Sequence, residues 1–346
     1  MKKVVLLLIV ACLFLSLAGC KSSDYKKAAE MLLAGDFEGA SEMYLSLGEY
    51  KDAQERYAEC VQNINYNKAV ALLDDRDYEN AVGLLNDLGD FKDSKDLLDK
   101  CNSMLEAIAG FQEAVSLLEQ KNSEFDDAIS KANELVMTED KALDESLRPE
   151  LETAISKAKA VKMAIPEMPV EQSDILDETD EMKDVDYSDA IAELQKQQEA
   201  FGNSVKQYAL VNAPSEGYVI RCLEKVPGIT GIAAATEDND PNGNLGKAGG
   251  YTAAVYFAHE NVDQGEVSGD SIIERGTDGG GQIEVYANEA DANKRNDYLA
   301  TFDGSVFASG SHTVIGTVLV RTSDKLKASE QKELEATIIS TLTAIE

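Results

Sequence analysis

The sequence predicts a multidomain protein: N-terminal all-α helical repeats and a helical bundle, followed by a C-terminal α+β domain with a sheet of about four strands. Three observations support this prediction. A segment near the N-terminus repeats itself after 41 residues. The segments that follow keep the apolar spacing of helices. Glycine and β-branched residues become frequent after residue 200. Because the helical and strand-like patterns occupy different parts of the chain, we expect them to form separate domains.

The first 20 residues have the three parts of a secretory signal. Lys2 and Lys3 give a positive start, an apolar run follows over 4–17, and small residues close the segment. That run is shorter than the roughly 20 apolar residues that span a bilayer. Residues 1–19 are therefore predicted to be a signal peptide.

The end of this segment, Leu17-Ala18-Gly19-Cys20, resembles the lipobox of bacterial lipoproteins. The resemblance implies that Cys20 is lipidated, for instance with palmitate, and becomes the first residue of the mature protein. The protein would then be lipid-anchored at the extracytoplasmic face of the cell membrane. The alternative is an ordinary signal peptide cut near Ala18, with Cys20 incidental.

Residues 20–105 contain two copies of one pattern. After a shift of 41 residues, aromatic, small, large apolar, turn and cysteine positions coincide. The matched pairs include Tyr25/Tyr66, Ala28/Ala69, Leu32/Leu73, Ala40/Ala81, Gly48/Gly89 and Cys60/Cys101. A fixed period of this size is typical of stacked helical hairpins. The pattern resembles tetratricopeptide-like repeats, with a period longer than the usual one of about 34 residues, and a third, decayed copy is predicted around 111–128.

Two further helical regions and a linker are predicted next. Residues 106–165 keep helical spacing and are predicted to form long helices that pack on the repeats, and residues 187–210 a single further helix. Between them, residues 166–186 contain two prolines and a dense acidic run from Asp174 to Asp186. Such a composition favours an acidic linker or a solvated loop.

Residues 211–346 are predicted to form the α+β domain, with its helices on one side of the sheet. The strand candidates are Ile229–Ala235, Tyr251–Ala258, Gln282–Ala287 and Thr313–Arg321, and the helix candidates are Glu216–Lys225, Glu289–Ala300 and Lys325–Ile345. The segments 237–243, 249–251 and 283–295 resemble an uncharacterised domain of Gram-positive lipoproteins and surface proteins. That resemblance implies export and a fold, and it carries over no catalytic residue.

The strongest local motif lies in the loop 238–245. Asp238, Asp240 and Asn242 occupy the positions of an EF-hand calcium loop that supply side-chain oxygens, Gly243 occupies the glycine position, and Asn244 follows. Position 12 of the motif is glycine instead of glutamate. The hypothesis of a weak calcium site at Asp238, Asp240, Asn242 and Asn244 therefore stands beside that of a turn rich in Asp and Asn.

Other chemistry has weaker support. His259 and His312 lie at the edges of predicted strands, without the sequence motifs of a hydrolase or a zinc site. Cys60, Cys101 and Cys222 form neither a disulfide framework nor a metal signature, which favours small core residues. The sequence predicts no catalytic residue and no cofactor other than this calcium.

Composition limits the classes of partner. The formal net charge is −32, with 64 acidic and 32 basic side chains, so nucleic acid and anionic lipid headgroups are excluded as partners on charge. The sequence thus favours a lipoprotein that is not an enzyme and serves as a scaffold for protein or cell-envelope partners. A lipoprotein that binds a ligand or calcium is the first alternative, and an unrecognised hydrolase in the C-terminal domain is the second.

Overall fold

The computed structural model describes residues 21–305 and 310–345. The predicted signal peptide and Cys20 lie outside the described residues. The chain divides into two compact units: one contains residues up to Lys121 together with Ala164–Val185, and the other contains Asn122–Met163 and Asp186 onwards.

The repeats of the first unit are helical hairpins. Its helices are α1 (21–34), α2 (Phe37–Leu47), α3 (Ala53–Asp74), α4 (Tyr78–Leu88), the first part of α5 (Ser94–Val136) and α7 (Gln172–Asp184). Asp36 and Asp77 cap α2 and α4 with their side chains, and Gly48 and Gly89 follow these helices at the same φ of 58°. Glycine is favoured there because it adopts a positive φ without the steric cost of a Cβ.

Each hairpin has its own small core. The first buries Ala28, Ala40, Tyr44, Leu47, Ala53 and Cys60, and the second buries Ala69, Ala81, Leu85 and Cys101. Alanine at the matched positions 28 and 69, and 40 and 81, is fully buried, as expected where two helices approach closely. No third hairpin follows, because residues 94–136 form one continuous helix, in which Phe111, Ala114, Leu118 and Phe125 are buried.

The prediction of an acidic linker over 166–186 is wrong. Residues 172–184 form helix α7, which buries Ile175, Thr179 and Met182. These positions are spaced i, i+4 and i+7, so they share one face, while the carboxylates occupy the exposed face. The Lys121 ammonium also donates to the carbonyl oxygens of Lys183 and Val185, at 2.8 and 2.6 Å, where the helix ends.

The prediction that residues 106–165 pack on the repeats is wrong in its second half. Residues 122–163 belong to the second unit, in which α6 (Leu147–Val161) packs against α8 (Ser188–Val211). The Phe125 ring stacks on Tyr187 with centroids 4.2 Å apart. Tyr187 also donates to the Asn122 amide oxygen at 2.7 Å, so the end of α5 is fixed to the start of α8.

The second unit contains a five-stranded antiparallel sheet. The strands are β1 (Ile229–Ala234), β2 (Ala253–His259), β3 (Gly280–Val285), β4 (His312–Ile315) and β5 (Val318–Thr322), in the order β1-β2-β3-β5-β4. The single strand predicted over Thr313–Arg321 is instead a hairpin of two strands. Gly316, with φ 55°, lies in its turn, which reverses the chain.

Helices cover both faces of this sheet, so the prediction that they lie on one side is wrong. One face packs Val255, Ile283 and Val320 into a core with α9 (Glu216–Leu223) and α12 (Ala328–Leu342). The other face packs Tyr256 and Leu319 against α11 (Glu289–Ala300). A short helix α10 (Ile272–Arg275) and a 3-10 turn (Gly276–Gly279) precede β3. Strands with side chains buried on both faces lose simple alternation, which is why the pattern was ambiguous.

Candidate functional site

Charged side chains lie in the core beneath α11, on one face of the sheet. Tyr256, Gln282 and Arg321 are opposite one another on three neighbouring strands. Glu284 is two residues further along β3 on the same face, and Arg295 reaches it from α11. We call Tyr256, Gln282, Glu284, Tyr286, Arg295 and Arg321 the buried polar cluster.

Glu284 is the centre of this cluster and is fully buried. One carboxylate oxygen accepts from Nη1 of Arg321 at 3.0 Å, and the other accepts from the Tyr286 hydroxyl at 2.5 Å. Nε of Arg295 lies 3.4 Å from the second oxygen. Both oxygens therefore face donors inside the core, as a buried carboxylate requires.

Two of the tyrosines in this region are held in their neutral form. Burial, reinforced by the nearby Glu284 charge, raises the pKa of Tyr286 far above its ordinary value. Burial also raises the pKa of Tyr256, with the Asp240 and Glu284 charges acting in the same direction. Phenol groups in such surroundings serve as hydrogen-bond donors at neutral pH and not as bases.

The predicted calcium loop is tied to this part of the core through Asp240. One oxygen of Asp240 accepts from the Tyr251 hydroxyl at 2.6 Å and from the backbone N–H of Asn242 at 3.2 Å. The other accepts from the backbone N–H groups of Asn244 and Leu245 at 2.6 and 2.9 Å. The Tyr251 ring meets Tyr286 edge-on at 6.0 Å, so the loop is fixed to the buried polar cluster.

The electrostatics at Asp240 follow from these contacts. Burial is the largest single influence and raises its pKa, but the hydrogen bonds from Tyr251 and three backbone amides outweigh it, so the pKa lies below the ordinary value. For Tyr251 burial and the bond to Asp240 act together, and its pKa is strongly raised. The Asp240 side chain therefore organises the turn as an anion.

The structure brings together only part of the predicted calcium site. Asp240, Asn242 and Asn244 meet through one turn, whereas Asp238 is exposed and its carboxylate has no hydrogen bond or ion pair with any described residue. Among residues 21–305 and 310–345 no group of three or more His, Cys, Asp or Glu side chains could hold a metal ion. Calcium would have to compete with the four donors on Asp240, and its binding there stays a prediction.

The two histidines have different hydrogen-bond partners, and none of these partners belongs to the buried polar cluster. Nδ1 of His259 accepts from the backbone N–H of Asn261 at 3.2 Å. The ring nitrogens of His312 face Asn296 at 2.7 Å and Asp303 at 3.3 Å. None of these partners is a serine, threonine or cysteine. Cys60, Cys101 and Cys222 are buried and unbridged, which confirms their prediction as core residues.

The repeats display a second, duplicated arrangement. The Tyr25 hydroxyl donates to Asp52 at 2.5 Å, and the Lys51 ammonium lies 4.4 Å from the centre of the Tyr25 ring. In the second copy, the matched distances are 2.6 Å from Tyr66 to Asp93 and 4.1 Å from Lys92 to the Tyr66 ring. We call these two arrangements the repeat clusters.

The backbone of the repeat clusters is strained in the same way in both copies. Lys51 and Lys92 have positive φ angles of 54° and 50°, which cost a non-glycine residue about 1 kcal/mol or more. Both lysines are exposed while the tyrosine rings are half-buried. Each hairpin therefore ends in a fixed surface that combines an aromatic ring, a cation and a carboxylate.

Sequence reasoning identified the repeats but missed the buried polar cluster. The only signal for the cluster was the presence of Gln282 and Glu284 at alternate positions of an otherwise apolar strand.

Comparisons of the chain with protein-family models, curated proteins and solved structures gave no match. None of the helices within 21–305 and 310–345 has the length and apolar character required to cross a membrane.

Proposed function

We propose that this protein is a lipid-anchored, extracytoplasmic binding protein whose helical repeats form a scaffold for a protein or cell-envelope partner. The C-terminal α+β domain would serve as a second recognition module. The observation that carries the proposal is the pair of repeat clusters, which present partly exposed aromatic rings beside lysine ammonium groups. Tyrosine side chains are enriched among the residues that dominate binding energy at interfaces.

A difference between the two copies supports the same proposal. Leu33 and Leu45 are 88% and 63% exposed in the first hairpin. The matched positions in the second hairpin are Asp74 and Asn86. Because the second copy folds with polar residues there, the two leucines are not needed for the hairpin. They leave apolar surface available for a contact.

The net charge of −32 favours a partner with a basic surface, because opposite charges speed encounter and oppose wrong pairings. The anchor at Cys20 rests on the lipobox resemblance. It implies that the repeats, which follow directly in the chain, would begin near the membrane surface. At least two acyl chains are needed for stable anchoring, at ~0.8 kcal/mol for each buried CH₂.

The scaffold is tested by replacing Leu33 with Asp and Leu45 with Asn in the full-length protein, which copies the residues of the second hairpin. A photo-reactive residue at the exposed position Glu42 would capture neighbouring molecules in cells. We expect defined adducts with the parent protein and their loss in the double variant, at unchanged helix content. A matched control, Met137→Asn, alters another exposed apolar residue, 81% exposed, and should keep the adducts. The same adduct pattern in all three proteins, or none in the parent, would contradict the scaffold proposal.

The anchor has its own test. Cys20→Ala should move the protein from the membrane fraction to the medium and abolish labelling by a palmitate analogue. Retention of the variant in the membrane after normal signal cleavage would contradict the anchor without affecting the scaffold.

A further inference from the structure

A cavity of about 610 Å³ lies within the second unit, between α8, α9 and the C-terminal end of α12. Among the residues that the structure describes, the charged members of its lining are Lys206, Arg221 and Lys225, and none is acidic. We call this cavity the basic pocket. Its volume is within the range of roughly 300–1,000 Å³ that is usual for small-molecule sites.

The charge of the basic pocket is opposite in sign to the net charge of the whole chain. Basic residues are 32 of the 96 charged side chains, or one third. Three charged residues drawn at random would all be basic with a probability of one third cubed, about one in 27. Clustered cations repel one another, and low-dielectric walls strengthen their field inside a cleft. An anion bound beside Lys206 and Arg221 would be attracted by both of these cations.

Two of these cations have no polar partner within the described part of the chain. Neither Lys206 nor Arg221 forms an ion pair or a hydrogen bond with another described side chain, and both are exposed to solvent. In contrast, Arg295 and Arg321 in the same unit are paired with Glu284. The Arg221 guanidinium is thus available to bind a planar or tetrahedral oxyanion through two parallel N–H groups.

The spacing of residues along α9 and its terminal turn places two of the cations on the side of the helix that lines the pocket. Tyr218, Arg221 and Lys225 are related by i, i+3 and i+7, so they follow one face of the helix and its terminal turn. The other face is anchored, because Val219 and Leu223 are fully buried in the sheet core. The position of the charged face is therefore fixed by packing.

The walls are partly apolar and are held together. The Tyr218 hydroxyl donates to the Leu342 carbonyl at 2.7 Å, which ties α9 to the end of α12. Leu210 and Ile345 contribute apolar surface to the lining, and Ile345 is 41% exposed. A large exposed aliphatic side chain beside three cations matches a ligand that has both an anionic group and a hydrocarbon part.

We propose that the basic pocket binds a small, soluble organic oxyanion, a phosphate or carboxylate group on a short apolar body. Arg221 and Lys206 contact the anion, and Leu210 and Ile345 contact its apolar part. This site is separate from the repeat scaffold and does not depend on it.

Calorimetric titration of the full-length protein tests the proposal with hexyl phosphate and hexanoate as probes. At least one should bind at a single site, and inorganic phosphate, hexanol and hexylammonium should bind at least tenfold more weakly. Arg221→Gln should lower the affinity at least tenfold, a difference of about 1.4 kcal/mol. The matched control Lys332→Gln, which removes an exposed positive charge of α12 outside the pocket, should leave it unchanged.

A second variant tests the proposal through a gain of binding and not only through a loss of binding. Arg221→Glu with Lys206→Glu should abolish binding of the anionic probes and create affinity for hexylammonium. Three outcomes would overturn the proposal: no binding of either anionic probe, equal affinity for hexanol, or binding only to vesicles that contain phosphatidylglycerol, which would assign the cations to a membrane surface.

Discussion

Replacing Glu284 with methionine should destabilise the second unit by about 3 kcal/mol, because it removes the carboxylate that pairs with buried guanidinium groups. Arg321 is only 5% exposed and pairs with Glu284 at 3.0 Å. Removing one partner of a buried ion pair costs about 3–5 kcal/mol. We expect the lower end of that range, because Arg321 keeps its bond to Gln282 at 3.1 Å.

Replacing both Glu284 and Arg321 with methionine should restore part of this loss. A buried ion pair can often be exchanged for apolar residues of similar size at little cost. The exchange leaves the Tyr286 hydroxyl and the Gln282 amide with unmade hydrogen bonds, at about 1 kcal/mol or more each. The free energy of unfolding of the double variant should therefore be about 2 kcal/mol lower than that of the parent, but higher than that of the Glu284→Met protein.

The absence of tryptophan from the sequence permits a local assay. Tyr298→Trp places a single fluorophore on α11, where the native side chain is 54% exposed, so urea unfolding of the second unit can be followed alone. The control Glu333→Met makes the same change at an exposed position and should shift stability by no more than about 0.5 kcal/mol. The single variant Arg321→Met completes the cycle. If the loss in the double variant equals the sum of the losses in Glu284→Met and Arg321→Met, the two residues are not coupled and the reasoning fails.

Three further predictions concern α7, the loop at Asp240 and the buried tyrosines. Met182→Ala should destabilise the first unit by about 2–5 kcal/mol, because the side chain is fully buried. Thermal melts followed by circular dichroism should show this loss, and they should show none for Met137→Ala, which changes an exposed residue. Calcium at about ten times a dissociation constant near 10⁻³ M should stabilise the parent by about 1.4 kcal/mol relative to EDTA. The same calcium concentration should not stabilise Asp240→Ala. Equal melting temperatures of the parent with and without calcium would leave the loop as a hydrogen-bonded turn. The pKa values of Tyr251 and Tyr286 are raised, first by burial, so their contribution to stability is fully present below about pH 10 and is lost as pH rises further. Tyrosinate absorbance should therefore develop at higher pH in the folded protein than in urea. Coincident titration curves would show that these hydroxyls are not buried.

The hairpins could be predicted because their determinants are local. Asp36 and Gly48 mark a start and an end that recur 41 residues later, and capping and turn preferences act over a few residues. The α7 helix was missed although its i, i+4, i+7 stripe was present, because acidic composition alone does not reveal whether an apolar stripe has a surface to pack on.

The sequence by itself determined the order of a helical N-terminal region and a C-terminal α+β domain, the period of the repeats and the acidic charge. Only the tertiary structure decided which charged residues meet. Glu284 and Arg321 are 37 residues apart, and their contact depends on the register of neighbouring strands. Lys206 and Arg221 lie on different helices and line one cavity only because α8 and α9 pack beside the end of α12. Such meetings are set by long-range packing, whereas a sequence pattern records only the preferences of neighbouring residues.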